Sequence, residues 1–142
     1  LPPELVTKAL VAFTSFEEWA SGCKFDCIGA EVALVHSQLR YGGMFDAALV
    51  HGRPTICDWK TATSTATYPE HIIQVAAYAK LWNDWRPERP IERVAILKIG
   101  KDEPSFGHHV WQVDSDVFRA AWRAFTMCMA LRSDLERIKK AV

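Results

Sequence analysis

Cysteine is scarce. The 142 residues contain only four, at positions 23, 27, 57 and 128, too few and too irregular for a small disulfide scaffold or a paired zinc-knuckle pattern. Cys23-x-x-x-Cys27 supplies only two of the four ligands of a tetrahedral metal site. Reduced thiols in an intracellular protein are the expectation. Long apolar runs are also missing, since no stretch reaches the ~18 residues of a membrane span. The opening LPPELVTKALVAF lacks a continuous signal-peptide core, so a cytoplasmic location with no membrane partner is expected. Charge of one sign is lacking as well: 17 basic side chains face 17 acidic ones, which removes any global field that would steer polyanions and leaves room only for a local basic cleft. The chain opens on Leu1 without an initiator methionine, so it reads as one domain, 1–142, truncated at its N-terminus, with catalytic pieces able to lie upstream.

Aromatics and aliphatics are plentiful. Hydrophobic residues make up 49% of the chain, with six tryptophans and seven phenylalanines, enough for a single domain with a real core. Residues 3–20 read as a helix with Leu5, Leu10, Phe13, Phe16 and Trp19 as its apolar stripe, stopped near Ser21-Gly22. Strand patterns follow at 28–39, 44–50 and 55–60, with Gly42-Gly43 and the loop His51-Gly52-Arg53 between them. A helix is expected from Pro69 to Trp85, then strands at 91–99 and 108–113. A last helix, capped by Asp114 or Ser115 and running to about Lys139, carries Phe118, Trp122, Phe125, Cys128, Leu131, Leu135 and Ile138 at steps of three or four. That stripe is expected in the core. The order is αβββαββα, and the fold class is α/β with a mixed central sheet flanked by helices.

Chemistry concentrates in Gly43-Met44-Phe45-Asp46 and Ile56-Cys57-Asp58-Trp59-Lys60. On a strand Asp58 and Lys60 share a face, and a turn at 51–53 sets Asp46 opposite Asp58. Trp59, between them, should face the other way, towards the core. Two facing carboxylates repel unless a cation lies between them. Magnesium suits hard oxygen ligands, with water and phosphate oxygens completing the shell, and a lysine beside it can orient or help deprotonate an attacking water. The same triplet also reads as solvated edge carboxylates with Lys60 as an ordinary ion-pair partner.

RYGGMFDAALV, TICDWKTAT and IIQVAAYAKLW together resemble the PD-(D/E)XK nuclease superfamily, in particular its RecB-like and phage exonuclease branches, over roughly residues 31–82. The resemblance implies a restriction-endonuclease-like core. It implies hydrolysis of DNA phosphodiester bonds with Mg2+ or Mn2+ held by Asp46 and Asp58, Lys60 assisting, and aspartate at 58 replacing the commoner glutamate. Gln74 and Tyr78 match the Gln-x-x-x-Tyr pattern of the RecB-like branch, and their spacing of four puts both on one helix face. Glu31 matches a glutamate of phage-type relatives and either helps position metal or water or satisfies a neighbouring basic group. Glu17 or Glu18 could supply the acidic residue that many relatives carry on an earlier helix.

Exonuclease action in DNA processing or recombination is thus expected, in a bacterial or phage-infected host cell and with a recombination or replication protein as a further partner. The alternatives are a catalytically weak nucleic-acid-binding or assembly module of the same fold, and an unrelated domain whose Asp46, Asp58 and Lys60 form only an ion-pair network. Arg40, Arg53, Lys80, Arg86 and Arg89 are candidates for a DNA-facing rim. No helix-turn-helix or zinc finger supports base-specific reading.

Overall fold

A computed structural model describes all residues, Leu1–Val142. It has α1 (Pro3–Gly22), β1 (Asp26–Val35), β2 (Gly42–His51), β3 (Arg53–Ala62), α2 (Pro69–Trp85), β4 (Arg93–Gly100), β5 (Phe106–Gln112) and α3 (Asp116–Ala141). The αβββαββα order expected from the sequence is present. The five strands lie in the order β1-β2-β3-β4-β5. Only β3 and β4 run parallel, because α2 carries the chain back across the sheet between them, whereas the other neighbours are antiparallel. No helix is long and apolar enough to cross a membrane.

Strand alternation divides the core in two. Ile56, Val94 and Ile96 pack under α2 and the start of α3, through Val75, Ala76, Ala79, Trp82 and Phe118. Cys57, Ala95 and Leu97 face the other way and are covered by Trp19 of α1. Trp59 joins this second face, its ring 5.0 Å from that of Phe16. Small residues on α2 let it settle close to the sheet, which brings Gln74 and Tyr78 over β2 and β3. At Gly43 an added Cβ would lie 2.7 Å from Tyr78 Cε1, so this glycine is what admits the tyrosine ring.

Several sequence expectations are corrected. The β2–β3 turn is tighter than a three-residue loop: His51 pairs with Arg53, and Gly52 sits alone at the tip with φ +71°. On α1, Leu5, Leu10 and Phe13 are exposed, and Ser15 and Trp19 are the buried positions. Ser15 is tied in by its hydroxyl, which donates to the Gly100 carbonyl and accepts from the Ser105 N–H. On α3, Ser115 is the cap, accepting from the Phe118 N–H at 3.2 Å, but the apolar stripe does not stay in the core. Phe118 is buried whereas Leu131, Leu135 and Ile138 are exposed. From Leu131 onward every residue is exposed, on all sides of the helix, so the second half of α3 extends beyond the elements that its first half packs on.

Candidate active site

The site begins where β2 parts from β3. Their ladder keeps the expected register from Val50↔Pro54 to Ala47↔Cys57 and stops one pair short of Asp46 and Asp58. There the Trp59 N–H donates to Asp46 Oδ2 at 2.7 Å instead of to a backbone carbonyl. Alternation breaks at the same place, since Phe45 belongs to the α2 face and Ala47, two residues on, to the α1 face. In β1 the residue skipped opposite this break is Glu31, at φ +49°, a left-handed conformation that costs a non-glycine residue about 1 kcal/mol or more. The sequence expectation of two directly laddered aspartates is therefore refined. The carboxylates meet at a splayed strand junction and not across a flat ladder.

Asp58 is 4% exposed. Burial pushes its carboxyl pKa up from the ordinary range, the charge and contact of Asp46 push it further, and Lys60 opposes both. Lys60 Nζ lies 2.7 Å from Asp58 Oδ2. That contact is a close ion pair, and the Lys60 ammonium is the only donor group that meets this buried oxygen. Lys60 directs its hydrogen bond to Gln74 Oε1 at 3.0 Å, and Gln74 Nε2 donates to the Tyr78 hydroxyl at 2.7 Å. The ammonium fixes which way the amide faces, since only its oxygen can accept from Lys60. Tyr78, its pKa raised by burial, stays protonated and keeps its own O–H free to donate. Asp46, Asp58, Lys60, Gln74 and Tyr78 are thus brought together.

Glu31 is not. It is exposed and forms no hydrogen bond or ion pair, on the same open face of β1 as Ala33 and Val35, whereas Val32 and Leu34 face α2. Glu17 and Glu18 are exposed on α1, which covers the opposite face of the sheet. Of the expected basic rim, Arg53 pairs with Glu92 at the far end of β3, Arg86 stacks on Trp85, and Lys80 lies over Trp122. Only Arg40 lines a groove that leads to the site.

Two features escaped the sequence reading. One is Lys98 of β4, the parallel ladder partner of Lys60. It is 3% exposed, its Nζ is 5.2 Å from the centre of the Tyr68 ring, and burial followed by the charge of Lys60 lowers its pKa. Its signal was a lone lysine in the otherwise apolar stretch VAILKI, in a strand with helices on both faces. The other is a groove. A cleft of about 290 Å3 beside Gly43, Gln74 and Tyr78 continues past Tyr41 and Phe125 into an open channel of about 920 Å3 between the β1–β2 turn and α3. Arg40, Arg132, Arg137 and Lys140 line the channel against one carboxylate, Glu136. Three of these cations share the last turns of α3, but Arg40 comes from the β1–β2 turn about ninety residues earlier, so the sequence did not announce that they meet.

The chemistry of the carboxylate pair suits a divalent cation: Asp58 Oδ2 is buried with the Lys60 ammonium as the only donor against it, and Asp46 commits only Oδ2 to the backbone. No group of three or more His, Cys, Asp or Glu side chains gathers in a metal-binding arrangement. A cation here would take two carboxylates and fill its shell with water and substrate oxygens, as magnesium tolerates well.

No family model and no curated protein matches the chain. Among solved structures it resembles SSO0001. The likeness has a TM-score of 0.48 and 14% identity over 92% of this chain and 61% of that one. The chain therefore spans less than two thirds of the SSO0001 chain.

Proposed function

We propose that this protein is a metal-dependent deoxyribonuclease of the PD-(D/E)XK type, hydrolysing DNA phosphodiester bonds with Mg2+, or Mn2+ in its place. The observation that carries the reading is the continuous polar line Asp58–Lys60–Gln74–Tyr78 with Asp46 beside it. An isolated ion pair would not need an oriented amide and a phenol behind its lysine. Asp46 and Asp58 would hold the cation, which when bound supplies Lewis-acid polarisation of the phosphate and a more acidic water. Gln74 holds the Lys60 ammonium at the mouth of the pair, where it can orient a water or neutralise charge on a phosphate oxygen. The Tyr78 hydroxyl offers its proton towards the adjoining cleft. The basic channel supports a polynucleotide as the substrate, because its four cations, one of them Arg137 paired with Asp134, outnumber the carboxylates beside them and leave a locally positive track in a chain of zero net charge. Exonuclease action and a recombination or replication partner belong to the same proposal through the sequence resemblance.

The test is cleavage of end-labelled linear and covalently closed circular DNA with Mg2+, Mn2+ or EDTA. Metal-dependent loss of linear substrate with circles spared is the expected result, and Lys60→Met should lower the rate by about 10²-fold or more. Asp46→Asn is the better probe of the metal site than Asp46→Ala, because the amide oxygen can still accept from the Trp59 N–H. If neither DNA form is cut under any metal while DNA is retained, the binding-module reading replaces this one. That second reading draws on the closed Lys60–Asp58 contact, which neutralises the pair without a cation.

A further inference from the structure

A lysine whose stem is buried and whose ammonium has no anionic partner is open to completion by something from outside the fold. Lys98 is such a group. It is 3% exposed, forms no ion pair or hydrogen bond, and has another cation, Lys60, as its ladder neighbour. Its head lies over Tyr68, 5.2 Å from the ring centre, and Tyr68 is the residue at which α2 begins.

The start of α2 is uncapped. Tyr68 supplies no side-chain hydrogen bond to the first turn, and Pro69, the first helical residue, has no N–H to give. The His71 N–H is taken by the Tyr68 carbonyl, which leaves the Glu70 N–H free. A 17-residue helix thus presents its positive end and a free donor beside a buried, unpaired lysine. The His71 ring lies edge-on to that of Tyr68 at 5.5 Å, and burial together with Lys98 and Lys60 lowers its pKa. Glu70 is the one carboxylate of that first turn, and it forms no ion pair with Lys98.

We propose that Lys98 and the uncapped N-terminus of α2 form an anion subsite that takes a backbone phosphate of the substrate strand, next to the phosphate presented to Asp46 and Asp58. That the anion is a strand phosphate rests on the nuclease reading; that an oxyanion binds does not. The subsite lies on the α2 face of β4, one strand beyond Lys60, so an occupant there fixes the direction in which a strand crosses the site.

The experiment uses the whole chain in EDTA at low salt. Inorganic phosphate is titrated and followed through the backbone amide resonances of Glu70 and His71, for the native protein, Lys98→Met and Lys98→Arg. Native protein and Lys98→Arg should show saturable shifts. Lys98→Met should lose them while its other amide resonances stay native and its melting temperature does not fall. A single-stranded oligonucleotide is then bound in EDTA across a salt series, where Lys98→Met should reduce the slope of log affinity against log salt by about 0.7, one phosphate contact. Identical phosphate shifts in native protein and Lys98→Met would overturn the subsite. Lost shifts with an unchanged slope would overturn its assignment to the strand. Cleavage with Mg2+ is scored separately, so a protein that binds phosphate through Lys98 but cuts nothing counts against the nuclease reading and not against the subsite.

Discussion

Gly43→Ala tests how the site is assembled. The new Cβ would lie 2.7 Å from Tyr78 Cε1 and 3.3 Å from Cδ1, whereas carbon atoms rest at about 3.5–4.0 Å. The ring must therefore retreat by about 0.8 Å or more. Its hydroxyl is held 2.7 Å from Gln74 Nε2, and the same retreat stretches that bond to about 3.5 Å, the edge of a hydrogen bond. Overpacking of this kind costs about 1–3 kcal/mol and the hydrogen bond about 1 kcal/mol more. At roughly 4 °C per kcal/mol for a domain of this size, the melting temperature should fall by about 8–16 °C. The assay is a double-mutant cycle with Tyr78→Ala, read by urea unfolding. Once the ring is gone, Gly43→Ala should become neutral or stabilising by up to about 1 kcal/mol, since alanine is the better strand residue. A coupling of about 2–4 kcal/mol is expected. Equal costs of Gly43→Ala in both backgrounds would refute the argument that this glycine exists to admit Tyr78.

Burial and Asp46 raise the pKa of Asp58, so the folded, metal-free protein binds that proton more tightly than the unfolded chain does. Asp58 therefore contributes stability that is fully present below the ordinary aspartate pKa and is lost as pH rises through the raised folded value. Melting curves in EDTA against pH should show this loss as the difference between native protein and Asp58→Asn, and Mg2+ should reverse it. Asp58→Asn should flatten the profile and stabilise the metal-free protein at neutral pH by about 0.5–2 kcal/mol while abolishing hydrolysis; a less stable Asp58→Asn protein would contradict the desolvation argument. On α3, every residue from Leu131 onward is exposed. A stop after Ser133 should therefore change stability by no more than about 0.5 kcal/mol yet weaken single-stranded DNA binding, because it removes Arg137 and Lys140 from the channel. Unfolding of that truncated chain would show that the exposed half of the helix has a structural role.

Local patterning carried the element order, because strand alternation, proline at helix starts and glycine at turns act within a few residues. It also carried Asp46, Asp58, Lys60, Gln74 and Tyr78, whose relations follow from hairpin register and from a helical spacing of four. The α3 stripe does not stay in the core because the helix outruns the elements it packs on, and periodicity alone does not say where a packing partner ends. Glu31 shares the face of Ala33 and Val35 as strand parity implies, but parity does not say that this face is left open, away from α2.

Sequence by itself determined the αβββαββα order and the residues available for the chemistry. Tertiary structure decided the splay at Asp46, the burial of Asp58 against Lys60, the burial of Lys98 beside Lys60, and the gathering of Arg40 with the cations of α3. These depend on contacts between residues distant in the chain. Burial, which shifts the pKa of Asp58 and leaves Lys98 without a counter-charge, does not exist until the sheet and α2 have closed over them.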